Sequence, residues 1–234
     1  MPFERAYSSL QIGAPSPVAH YGLKIMKPTN LFYTSQTLKT KLNLNQYIGP
    51  LTILVFSLIA YTFNNQISET LVYDRVSVNN GEWWRIFSAP FIHTNSFHFL
   101  LNAIGVLILY GLHGHFYTIK LYFITFFFSG LTSSLGVHFY STHLDKYMGL
   151  SAVLHGLFIV GVIQEIKYKE KWGKLLLLGV ILKLCYEQFF GAGSIVAGFI
   201  NAQIAVNAHL WGSIGGTIIA LFYLYRHKTT PISN

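Results

Sequence analysis

Four stretches without a single Asp, Glu, Lys or Arg, residues 42–68, 86–119, 121–144 and 188–225, decide what this chain can become. Each exceeds the roughly 20 apolar residues that a helix needs to cross the hydrocarbon of a bilayer. Only 10% of the 234 residues are charged, against about 25% in a soluble domain, so an ordinary cytosolic globule is excluded. Lipid offers no partner to an open N–H or C=O, so the apolar segments must cross as helices. Six are read, at about 47–63, 97–112, 119–139, 149–165, 174–190 and 202–225. The expected fold is an all-α membrane protein, a six-helix bundle. The fifth segment carries Lys183 and Glu187, which are four residues apart and can pair on one helix face.

Lys and Arg outnumber Asp and Glu by 16 to 8. In a soluble protein that excess would suggest nucleic acid; here it is read loop by loop as an orientation signal, and no nucleic-acid partner is expected. Twelve bases fall on one side: five in residues 1–46, Lys120, the four of the 167–174 loop, Arg226 and Lys228. The other side holds three, Arg75, Arg85 and Lys146. Both termini are therefore expected in the cytoplasm, with segments 2, 4 and 6 entering from outside. Residues 1–46 have no apolar stretch of the kind a signal peptide needs. With one Arg and no amphipathic period they read as a polar cytoplasmic arm rather than a transit peptide. Residues 47–228 form the membrane domain and 229–234 a short tail. The long 64–96 connection, ending in Trp83, Trp84 and Arg85, reads as an interfacial loop with aromatic anchors. The single Cys185 excludes an intramolecular disulfide and a Cys-based metal site.

Polar groups inside these segments mark candidate chemistry, because each is costly in lipid unless buried in the bundle. Segment 2 opens with His98 and Asn102 on one face, segment 4 with Ser151, and segment 6 holds His209 about 10 Å inside its outer end. Charge alone oriented these segments, and it brings all four residues to similar depth below one face. A Ser beside a His is a minimal activated nucleophile, since a neutral imidazole can take the hydroxyl proton. No acid lies at this depth in segments 2, 4 or 6, so the expected arrangement is a Ser-His dyad. Asn102, His98 and the Ser151 N–H are the available oxyanion donors. His155, one turn beyond Ser151, competes with His209, and chemistry alone does not choose between them. Packing favours His209: Ala208, Gly212, Gly216 and Ala220 give segment 6 a small-residue stripe on which segment 4 could dock. His93, His113, His115, His138 and His143 sit at segment ends and read as interfacial. His113-Gly114-His115 could seed a metal site, but without carboxylates or Cys beside it no metal is expected.

The ordered set Gly81-Glu82-Trp83-Trp84-Arg85, His98-x-x-x-Asn102, Gly149-x-Ser151 and Ala208-His209-x-x-Gly212-x-x-x-Gly216 resembles the rhomboid intramembrane serine proteases over about residues 70–225. The resemblance implies Ser151 as nucleophile, His209 as general base and His98 and Asn102 as oxyanion donors. A narrower resemblance is to the rhombosortases, the branch linked to proteins with a GlyGly-CTERM tail. Tyr147-Met148-Gly149-Leu150-Ser151, Val153-Leu154-His155-Gly156, Lys183…Glu187-Gln188 and Ala208-His209-Leu210-Trp211-Gly212 carry it. Rhomboids usually have Gly directly after the serine, where this chain has Ala152. The resemblance implies an endopeptidase of the bacterial inner membrane that cuts membrane-anchored protein substrates near the outer face and needs no cofactor. A catalytically silent rhomboid-like protein that escorts membrane helices is the alternative, and it would be marked by loss of the Ser or His. A small transporter would use similar polar residues, but no acidic relay or broken-helix pair is evident.

Overall fold

The structure is a computed structural model, and it describes residues 45–227. The arm expected at 1–46 and the tail at 229–234 therefore fall almost wholly outside the described residues. In chain order the elements are α1 (Asn45–Thr62), α2 (Asn64–Leu71), β1 (Tyr73–Asp74), α3 (Arg75–Asn79), α4 (Arg85–Ser88), α5 (Ser96–His113), α6 (Ile119–Tyr140), β2 (Lys146–Tyr147), α7 (Ser151–Lys167), α8 (Gly173–Phe190), α9 (Ser194–Ile200) and α10 (Val206–His227).

The expected segments fall on α1, α5, α6, α7, α8 and α10, and the fold is all-α apart from a two-residue antiparallel ribbon. Local chemistry sets several starts: Asn95 accepts from the His98 N–H at 2.9 Å to cap α5, and Thr118 accepts from Leu121 to cap α6. Three helical stretches, Ser96–Phe116, Ile119–Tyr140 and Val206–Arg226, are long and apolar enough to cross a membrane by themselves. The number rises to five if the bent pairs α1–α2 and α8–α9, turned by 108° and 83°, each make one broken span. At 17 residues α7 is shorter. Its surroundings differ as well: Ala152, Val153, Leu157, Ile159 and Val160 are distributed among all four apolar core clusters, so α7 is wrapped by protein. By contrast α1 and α8 leave Leu51, Phe56, Leu178 and Leu182 exposed, as lipid-facing helices do.

Residues 64–96, expected as a loop, are instead ordered around two arginines. The Arg85 guanidinium is buried, pairs with Glu82 at 2.6 Å and donates to the Glu69 and Val72 carbonyls at 2.7 and 2.9 Å. Arg75 donates to the carbonyls of Val137, His138, Ser141 and Leu144. These include orphan acceptors at the C-terminus of α6, where a cation also favours the helix dipole. Charged donors on carbonyls, rather than turn residues, thus fix this connection, which is why periodicity did not reveal it. Trp83 and Trp84 are exposed as anchors should be, and Trp84 Nε1 donates to the Thr70 carbonyl. The ribbon pairs Tyr73 with Tyr147 and so ties this region to the segment leading into α7. Burial pushes the Tyr73 hydroxyl up to about 12, and the Ser77 N–H holds the Asp74 carboxyl below its ordinary value.

The stripe on α10 performs as expected. A Cβ on Gly212 would meet the Ala152 carbonyl, one on Gly216 the Gly156 backbone, and one on Gly156 the Ser129 hydroxyl. Backbones of α7 and α10 are therefore in direct contact, a separation that only missing side chains allow.

Candidate active site

Ser151 is the first residue of α7, so its side chain lies at the open end of the most enclosed helix. The turn before it requires Gly149, which has φ +107°, a conformation that side chains rarely adopt. A Cβ at that position would also lie 2.6 Å from His98 Nε2. The Gly-x-Ser spacing thus brings the α5 imidazole close to the turn that precedes Ser151.

Across the α7–α10 contact, Ser151 Oγ lies 2.9 Å from His209 Nε2. His155 is the nearer residue in sequence but is directed elsewhere: its Nδ1 is 2.7 Å from the Ser151 carbonyl oxygen. Its ring stacks on that of His209 at 4.3 Å and 17°. His98 and Asn102 are buried on α5, and Asn102 Nδ2 donates to the His98 carbonyl at 3.0 Å. Thr94 holds the far side of the His98 ring, its hydroxyl 3.2 Å from Nδ1. Ser151, His209, His98, Asn102 and His155 all line one cavity of about 420 Å³. The structure therefore brings together the four residues singled out from sequence.

The expectation of a Ser-His dyad rests on segments 2, 4 and 6; the structure also places a carboxylate from segment 5, on α8, beside His209. Glu187 Oε2 lies 3.0 Å from His209 Nδ1, and Lys183 Nζ lies 2.6 Å from Glu187 Oε1. The expected Lys183–Glu187 pair is present, but it is also joined to the histidine. A signal existed: Glu187 sits three residues before the end of α8, and consecutive spans run in opposite directions, so α8 ends at the depth where α7 begins. An ionisable residue at that depth calls for a partner.

His93 and His113, at the ends of their segments, are fully buried in the protein. Burial, with His98 adding to it, pushes His93 down to about 3, so it is neutral where its ring meets His98 edge-on at 5.0 Å. His113 Nε2 is 3.1 Å from Glu165 Oε1 on α7. Among the described residues, His155, Glu187 and His209 are the group whose possible ligand atoms lie within 4.8 Å of one another. Lys183, Ser151 and their mutual hydrogen bonds occupy those atoms.

With this geometry in view, the comparisons with known proteins agree on one class. The Rhomboid domain family model matches residues 80–226, more than half of the chain, and the chain belongs to the rhomboid family. It is an integral membrane protein. Among curated proteins it is similar to the "Putative rhomboid protease YdcA" of Bacillus subtilis (strain 168), 23% identical over 160 residues that cover 68% of this chain and 77% of that protein.

Proposed function

We propose that this chain is an intramembrane serine endopeptidase in which Ser151 is the nucleophile and His209 the general base. The observation that carries the reading is the 2.9 Å approach of Ser151 Oγ to His209 Nε2 within a cavity. In the mechanism, His209 takes the hydroxyl proton as Ser151 Oγ bonds to the peptide carbonyl carbon. The displaced electron pair rests on the carbonyl oxygen, where His98, Asn102 and the Ser151 N–H donate to it. Collapse breaks the C–N bond, and His209 returns its proton to the leaving amine. Water then resolves the acyl-enzyme by the same route.

The reading includes a bundle of six spans formed by α1, α5, α6, α7, α8 and α10. Both termini and the 1–46 arm lie in the cytoplasm, as the 12-to-3 division of bases favours. The site then opens near the outer face of a bacterial inner membrane. Its substrates are membrane-anchored proteins, cut at C-terminal anchors of the GlyGly-CTERM type, as the rhombosortase-like motifs suggest. The chemistry supports such a site independently: a helix must unwind before cleavage, and Gly lowers that cost by about 1 kcal/mol relative to Ala.

The test is co-expression with a reporter carrying a Gly-Gly anchor. The expected result is cleavage that falls sharply when Gly-Gly becomes Leu-Leu, and Asn102→Ala should lower turnover by about 10²–10³. Equal cleavage of both reporters would reject the Gly-Gly specificity. Binding of both without cleavage would favour the escort alternative.

A further inference from the structure

The hydrogen bonds around Ser151 close into a circuit whose protons can be assigned from partner chemistry. A carboxylate only accepts, so His209 Nδ1, 3.0 Å from Glu187 Oε2, carries the hydrogen. His209 Nε2 is then a bare lone pair facing Ser151 Oγ. The Ser151 carbonyl likewise only accepts, so His155 Nδ1 carries its hydrogen there. His155 Nε2 is left to accept from Lys183 Nζ at 2.8 Å, and Lys183 also donates to the second oxygen of Glu187. Each acceptor in the circuit faces a donor.

We infer that Glu187 is the positioning residue of a Ser-His-Glu triad, and that Lys183 fixes it by holding both Glu187 and His155. This deepens the protease reading and rests on it. During attack the Ser151 proton moves to His209 Nε2. Glu187 stays ionised, keeps the Nδ1 proton as a hydrogen bond and offsets the imidazolium charge, an arrangement that costs nothing to reorganise because it exists beforehand. Lys183 acts on selectivity as well: by occupying the His155 lone pair it leaves His155 no acceptor for the serine proton. The stacked ring of His155 then serves to keep His209 in its plane. The helix geometry accounts for the pairing, since Lys183 and Glu187 are four residues apart on α8 and both side chains reach the same cavity.

The experiment measures kcat, KM and the thermal midpoint in detergent micelles for wild type, Ser151→Ala, Glu187→Gln, Glu187→Asp and Glu187→Ala, on a peptide spanning a Gly-Gly anchor. Gln keeps the shape of Glu187 but can donate to His209 Nδ1, which would move the ring proton to Nε2 and remove the base. Glu187→Gln should therefore lose about 10³–10⁴-fold in kcat, with KM within about threefold of wild type. Glu187→Asp should recover part of the loss, and formate, unlike chloride, should restore turnover to Glu187→Ala. Glu187→Gln within about threefold of wild type, while Ser151→Ala is inactive, would overturn the inference and leave the protease reading standing. A loss that follows the thermal midpoint and does not respond to formate would also overturn it, in favour of a structural ion pair. A folded wild type that neither turns over the peptide nor is labelled by a serine-directed fluorophosphonate would overturn both.

Discussion

Ser151→Ala, His209→Ala and the double variant are expected to lose cleavage of a membrane reporter to the same extent, by as much as about 10⁶-fold in kcat. The equality is the informative part. A nucleophile without its base, or a base without its nucleophile, is as inactive as neither, so the two losses cannot add. The geometry favours this, because His209 Nε2 faces Ser151 Oγ and His155 Nδ1 faces the Ser151 carbonyl. His155→Ala should leave measurable turnover, since it removes a stacking partner and a Lys183 acceptor but no reacting atom. Measuring the four variants at equal expression checks the claim. Retained activity in His209→Ala with complete loss in His155→Ala would reverse the assignment.

Gly212→Val is expected to be the most damaging change away from the reacting groups. Its Cβ would fall on the Ala152 carbonyl, and a backbone atom cannot rotate out of the way. Overpacking of this kind costs about 1–3 kcal/mol, occasionally more. The functional cost is compounded, because α7 carries Ser151 and α10 carries His209: separating the helices by about 1 Å can cost 10²-fold in rate. Gly179→Val on α8 is the control, since nothing lies within 4 Å of an added Cβ there. The thermal midpoint and kcat should both fall for Gly212→Val and stay near wild type for Gly179→Val. Equal behaviour of the two would mean that the α7–α10 contact does not set the site.

What could be read from sequence follows from where the physics is local. Uncharged length located α1, α5, α6 and α10, because lipid enforces it segment by segment, and apolar content located α7 and α8 despite their charges. The positions of Ser151, His98, Asn102 and His209 followed from helix direction and depth, and the Ala208-Gly212-Gly216-Ala220 stripe explained which helix meets which. The ordered 64–96 region was not legible, because Arg75 and Arg85 reach carbonyls far along the chain, and no periodicity records such bonds. Glu187 was missed for a related reason: its i,i+4 partner Lys183 satisfied it on paper, while its second oxygen reaches His209 on another helix. A salt bridge visible in sequence therefore hid a partner that only the tertiary arrangement shows. His113 and Glu165, on α5 and α7, are a second instance of a pair that helix packing alone brings together.

The most direct measurement of the central claim is labelling with a serine-directed fluorophosphonate in detergent micelles, which needs no knowledge of the substrate. The expected result is covalent labelling of the wild type that disappears in both Ser151→Ala and His209→Ala. Absence of labelling in a folded wild type, or labelling that survives Ser151→Ala, would contradict an activated serine at this position.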